Sequence, residues 1–219
     1  MKRIAMYRGS LILLVLYILV MLYFMLVLPA DAQVPMHWNA QGEIDSYYAK
    51  TPALLVGLGL EVFLFLLIYL MPYYSPKYRN QAERFEKVLP GLCFVLMLFF
   101  ALINIYSLLL AKVGDAIPIN IIFVLIGLLF IFLGNLLPKV PRNFFIGIRT
   151  PWTIMDVENW HRTHRLGAYL FVISGIIMIL KGVILIHHSI FQNISMILAL
   201  ALLLYPLLHS FLLFRKKGA

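Results

Sequence analysis

The chain has 219 residues, 63% of them hydrophobic and 12% charged, and a formal net charge of +9. A water-soluble core of that composition would lack the polar surface to cover it, which excludes an ordinary soluble enzyme or binding module. The basic excess would suggest nucleic acid in a soluble protein; here it flanks apolar runs and reads as membrane topology plus attraction to anionic headgroups, with no direct nucleic-acid binding.

Six runs are long enough to span: Ser10–Leu28, Pro52–Met71, Val88–Ala111, Ile119–Leu137, Leu166–Ile186 and Ile194–Phe214. A helix needs about 20 residues to cross a ~30 Å hydrocarbon layer. The basic residues sort around these runs. Lys2, Arg3 and Arg8 precede the first. Lys77, Arg79, Arg84 and Lys87 lie in the second connection, and Lys139, Arg142, Arg149, Arg162 and Arg165 in the fourth. Arg215, Lys216 and Lys217 close the chain, so that these four segments hold fifteen of the eighteen basic residues. The opposite connections hold only Lys50 and Lys112. Basic loops stay in the cytoplasm. The expectation is an all-α, polytopic bundle of six transmembrane helices with both termini cytoplasmic.

Ala30-Asp31-Ala32 after the first run imitates a signal-peptide cleavage site. The run, at about 19 residues, exceeds a signal core and is read as a retained span. Pro29 to Thr51 then forms an external loop with the turn formers Pro29, Pro35, Asn39, Gly42, Asp45 and Pro52. Asn39-Ala-Gln-Gly42 predicts a tight turn with Gly42 at positive φ. Asp31, Glu43 and Asp45 make the loop acidic, and Trp38, Tyr47 and Tyr48 suit a headgroup boundary. In the second connection, Asn80–Lys87 is expected to start a helix that enters the third span. The Leu-Pro pairs at 28–29, 89–90 and 137–138 read as span ends. Cys93, the single cysteine, is expected to be buried and inert.

The internal fourth connection, Pro138 to Arg165, is the densest chemically. Thr153 with Asp156 resembles a capping box, predicting a helix from about Ile154 through Trp160 and His164 into the fifth span. Gly167 would allow close packing or a bend. Phe144, Phe145, Ile146, Ile148, Trp152 and Trp160 are too apolar for a free loop, so the segment should pack on the bundle or lie in the interface. The division expected is 1–87, a two-span region with external loop 29–51, and 88–219, a four-span region with signature segment 138–165.

Glu61 and Lys181 are charges inside spans, where ionisable side chains usually face the bundle interior and pair. Both fall in the outer half. They would pair or line a polar cavity, or Lys181 would snorkel to the headgroups. Asn104, at the same depth, could hydrogen-bond to either or simply join helices. His161 and His164 are spaced to share a metal, but the His-Glu-x-x-His pattern is absent, and the plainer reading is surface or headgroup histidines. His37 would need partners such as His187 and His188. No nucleophilic triad, phosphate-cradling glycine loop or redox cysteine pair is present. Neither catalysis nor a cofactor or metal is expected.

Two stretches carry more than physical pattern. Leu28-Pro, then Pro35-x-His37-Trp38-Asn39, then Gly42-x-x-Asp45 resembles an N-terminal domain found in the SdpI immunity-protein family. Asn143-Phe-Phe-Ile-Gly147-Ile-Arg149-Thr150-Pro151-Trp152, followed by Trp160-His-Arg-Thr163-His164-Arg165, resembles the same family's C-terminal signature. The resemblance implies an integral membrane protein that gives self-protection against a secreted antimicrobial peptide toxin. It further implies a cytoplasmic transcriptional repressor as an internal partner. On this reading the outer signature meets the peptide, a polar cavity at Glu61 and Lys181 holds its charges, and the Arg149–Arg165 segment responds inside. Both signatures could instead simply fasten loops to helix ends. Two other readings remain: a small transporter or ion-conducting protein using Glu61 and Lys181, and a membrane metalloenzyme using His37 or the His161/His164 pair.

Overall fold

A computed structural model describes residues 2–114, 121–183 and 189–218. Its elements in chain order are α1 (Lys2–Met6), α2 (Arg8–Val27), β1 (Gln33–Trp38), β2 (Ile44–Ala49), α3 (Lys50–Tyr69), α4 (Met71–Tyr74), α5 (Ala82–Val113), α6 (Ile121–Leu136), α7 (Pro151–Met155), α8 (Val157–Val183) and α9 (Ser189–Gly218). Short 3-10 turns at Arg79–Gln81 and Leu137–Lys139 complete the order. Six of the helices are long and apolar enough to cross a membrane, each overlapping an expected span. The fourth of these runs from Ile121 through the turn to Lys139. Their outward faces carry exposed Leu, Ile, Val and Phe, as lipid contact requires.

Two groups of three helices form the bundle. In the first, α2, α3 and α5 pack together with β1 across one end. Tyr17, Met21, Phe24 and Leu28 of the α2 segment bury against Val34, Ala53, Ala101 and Leu108. In the second group, α6 packs along α8, and α8 along α9. The α6–α8 contact is close because small residues face one another. A Cβ on either Gly127 or Gly175 would come within 2.5 Å of the other's carbonyl oxygen, and one on Gly134 within 2.8 Å of Ala168 O. Gly127 and Gly134, and Ala168 and Gly175, are each seven residues apart, so two antiparallel helices meet along one seam. α5 also touches α6 and joins the groups.

Two expectations need correction. Pro90 ends nothing: it lies inside the continuous α5, near its N-terminal end. The capping box of the fourth connection is Thr150 with Thr153, whose side chains accept from each other's backbone N–H, with Pro151 opening the helix. Asp156 then breaks the chain into two helices; its backbone is extended (φ −116°, ψ 123°) and its carboxylate accepts from Glu158 N–H at 2.8 Å. α8 therefore starts at Val157 as a separate helix.

The 29–51 connection adds structure that the sequence reading left as loop. β1 and β2 pair antiparallel, Gln33 with Ala49 through Trp38 with Ile44, with irregular register around His37. The turn is the expected one. Asn39 Oδ1 accepts from Gln41 N–H and Glu43 N–H, each at 2.9 Å, and Gly42 takes φ 85°. Both lysines flanking this end are tied down. Lys50 Nζ donates to Leu28 O at 2.6 Å, supplying a partner at the end of α2, and Lys112 Nζ donates to Tyr23 Oη at 2.6 Å.

Candidate functional site: the cleft beneath the hairpin

β1 and the turn lie over the junction of the two helix groups and roof an open cleft of about 520 Å³. Met36, His37, Trp38, Asn39 and Ala40 form the roof, with walls from Ile103 of α5, Ile122, Phe123 and Ile126 of α6, and Met196 and Leu200 of α9. The lining is apolar and of a size typical for ligand sites. Trp38 is central to it. The half-buried ring stacks on Tyr106 at 6.0 Å, and its Nε1 is buried with no acceptor among the described residues. A second, smaller cleft of about 200 Å³ lies on its other side, lined by Met36, Gly57, Asn104 and Ser107 among others.

Three outer signature residues shape the hairpin. Asn39 organises the turn, and its amide also donates to Glu43 Oε2 at 2.9 Å. Gly42 supplies the positive φ. Pro35 is buried within β1. His37 Nδ1 and Asp45 Oδ1 meet at 2.5 Å across the exposed face of the hairpin, a bridge that is ionic only when the imidazole is protonated. His187 and His188, the partners considered for His37, lie outside the described residues.

Lys181 is placed otherwise than expected. It neither reaches headgroups nor pairs with Glu61. Its side chain is 1% exposed; Nζ donates to Ala40 O at 2.7 Å and Gln192 O at 3.0 Å, and it lies 4.3 Å from the centroid of the Phe123 ring. A buried ammonium is here stabilised by two carbonyls and an aromatic face. The contact fastens the hairpin turn to the ends of α8 and α9. Gln41 Nε2 donating to Asn193 Oδ1 at 2.9 Å is a second fastener. The expected cavity shared by Glu61 and Lys181 is thus replaced by a hairpin-roofed cleft backed by Phe123.

Glu61 belongs to the first helix group. It is 1% exposed, and neither carboxylate oxygen has a hydrogen-bond partner among the described residues. Asn104 bonds neither charge. Its Oδ1 accepts from Tyr17 Oη at 2.8 Å, joining α2 to α5.

At the opposite end, the second signature is largely a knitted loop. The Asn143 amide is fully satisfied: Nδ2 donates to Pro141 O and Ile146 O, and Oδ1 accepts from Phe145 and Ile146 N–H. Gly147 has φ 107°, and a Cβ there would strike His164 Nε2. His164 is buried rather than at the surface. It accepts from Ile148 N–H at 3.1 Å through Nε2, so Nδ1 carries the proton and donates to Trp160 O at 2.8 Å. Trp160 stacks on it at 4.0 Å and donates Nε1 to Val140 O at 3.0 Å. Thr163 donates to Asn159 Oδ1, and Thr150 meets Ser210 of α9 at 3.0 Å. Trp152 lies against Phe211 and Phe214. Arg149 and Arg165 remain exposed, with Arg149 donating to Phe144 O. His161 is exposed and His164 already has partners on both nitrogens, so the pair does not form a shared ligand set. Among the described residues no three His, Cys, Asp or Glu side chains gather where a metal could be held.

Asp156 holds the tail. Lys217 Nζ lies 2.6 Å from Asp156 Oδ2 and 2.7 Å from Glu158 Oε2. The bond from Lys217 holds the Asp156 carboxyl below the usual aspartate range, helped by backbone N–H donors of Glu158 and Asn159.

This knitted segment coincides with a known family. Residues 139–212 match the SdpI/YfhL protein family. Residues 11–60, which include the hairpin, match a domain of unknown function (DUF1648). The chain is 28% identical to the immunity protein SdpI of Bacillus subtilis (strain 168) over 150 residues, covering 67% of each protein. No solved structure matches it. With six membrane-length helices, the SdpI/YfhL match makes this a multi-pass protein of the bacterial cell membrane. Within the SdpI/YfhL segment, Asn159 and Ser210 are signature partners that the sequence pattern does not single out, and Thr153 caps with Thr150 rather than with Asp156. Pro151 was the available signal for the helix start.

Proposed function

We propose that this protein is a membrane immunity protein that protects its cell from a secreted peptide toxin, and that the peptide docks in the cleft beneath the hairpin. The cleft carries this reading. It is roofed by the first signature, walled by apolar helix faces, open at its side, and supplied with an unsatisfied donor on Trp38. An amphipathic peptide would lay apolar side chains against Ile122, Ile126 and Leu200, and a turn of the half-buried Trp38 ring would bring its buried Nε1 to a peptide carbonyl. By the positive-inside rule the hairpin faces outward, toward an arriving peptide, and both termini face the cytoplasm.

The same arrangement offers a route inward. Lys181 ends the clamp on the hairpin, and Trp160 and His164 of the same α8 hold the signature loop about 30 Å away along one helix. Exposed Arg149 and Arg165 would present the response to a cytoplasmic repressor. In a toxin-sensitive bacterium, expression should raise the peptide concentration that stops growth, and Trp38→Ala should lower that protection about tenfold at unchanged membrane abundance, as loss of an interface aromatic does. Full protection by Trp38→Ala would count against the cleft as the docking site.

A further inference from the structure

We propose that a basic cleft at the end opposite the hairpin is a binding site for the phosphate of an anionic phospholipid headgroup. The cleft, about 400 Å³, lies between the start of α5, the Leu137–Lys139 turn and α8. Arg84 and Lys87, three residues apart on one helix face, line it with Lys139 and His161. Two separate elements, α5 and the turn, thus bring cations to one concavity, and α8 adds the imidazole of His161 as a hydrogen-bonding group. Lys87 is partly neutralised by Glu83 at 2.7 Å. Arg84, Lys139 and His161 make no ion pair among the described residues.

Depth selects the ligand. Lys139 ends the fourth spanning segment, and α5, at 32 residues, is about 48 Å long against a ~30 Å hydrocarbon layer. The first turns of α5 therefore project into the headgroup layer, where lipid phosphate is the most abundant anion. Val88, Pro138, Val140 and Pro141 line the rest of the cleft and give the glycerol and first methylenes an apolar bed. A guanidinium fork beside an ammonium suits a tetrahedral oxyanion, and basic pockets between spans are the usual form of such sites.

The test uses the full chain in detergent, titrated with phosphatidylglycerol or phosphatidylcholine and read by native mass spectrometry. Phosphatidylglycerol should be retained preferentially. Arg84→Gln with Lys139→Gln should weaken that retention about tenfold, whereas Arg215→Gln with Lys216→Gln, the same charge removed from the tail, should leave it unchanged. Should the first pair unfold, exposed Lys139→Gln alone carries the comparison, with about a threefold loss. Equal losses in the two charge variants, or equal retention of the two lipids, would overturn the site. Inorganic phosphate alone supplies the remaining arm. Displacement of phosphatidylglycerol by millimolar phosphate would assign the site to a free anion and overturn the lipid occupant; persistence supports it.

Discussion

The two ends of this bundle carry comparable sets of signature residues and use them differently. At the SdpI/YfhL end, Asn143, Thr153, Trp160, Thr163 and His164 are at most 1% exposed and spend their polar groups on one another and on nearby backbone. At the hairpin end, Pro35, Asn39 and Gly42 set the shape, while Trp38 keeps a buried donor unspent and His37 and Asp45 stay in the open. A fully satisfied network specifies a conformation and offers little to a ligand. A shaped surface with an unspent donor can bind. On the proposed function, the knitted end is scaffold and the hairpin end is where recognition takes place.

The sharpest way to break that comparison is Gly147→Ala. A left-handed backbone and a Cβ directed at His164 together should cost about 3 kcal/mol or more, so folded protein should nearly vanish from solubilised membranes. Recovery of normal, stable protein would mean that the signature loop is not the rigid scaffold described. Next in size is Lys181→Met, which removes the clamp and leaves Ala40 O and Gln192 O without that donor. Hydrogen exchange at 39–43 should rise by about tenfold, corresponding to loss of about 1–2 kcal/mol of local stability, while the Asn143–Thr150 loop stays protected. Loosening at both ends would argue for one cooperative unit instead.

The smallest effect concerns the tail. The Asp156 carboxyl is held below the usual range, so its bond to Lys217 stabilises the fold at pH values above the unfolded aspartate value, about 3.9, and that contribution is lost as pH falls through the lower folded value. A thermal-midpoint series should therefore fall in acid, and Asp156→Asn should flatten only that part of the profile. An unchanged acid profile would remove the Lys217 contact from the account.

Much of the fold was legible because a membrane span is an unusually loud pattern. Each apolar run overlaps a helix, although α5 and α8 begin well before their apolar stretches: Ala82–Lys87 is rich in good helix formers, whereas Val157–Arg165 is held by the Asp156 cap and by burial of Asn159, Trp160, Thr163 and His164. The hairpin was quieter. Its strands have six residues each, one carries Pro35, and their faces do not alternate cleanly, yet the Asn39–Gly42 turn was readable from side-chain chemistry alone. The α6–α8 seam was also written plainly, as glycine and alanine at seven-residue spacing. Lys181 misled for a physical reason. Intramembrane charges favour partners, but sequence shows opposite charges more readily than it shows which backbone carbonyls a fold will bring near, and Lys181 took Ala40 and Gln192 instead of Glu61.

The central claim is that the toxin peptide meets the chain in the cleft between hairpin, α6 and α9. A photo-crosslinking residue placed at Leu200, on the α9 wall, should capture the peptide in native membranes, and the same residue at Arg149 should not. Capture at Arg149 with none at Leu200 would contradict the account.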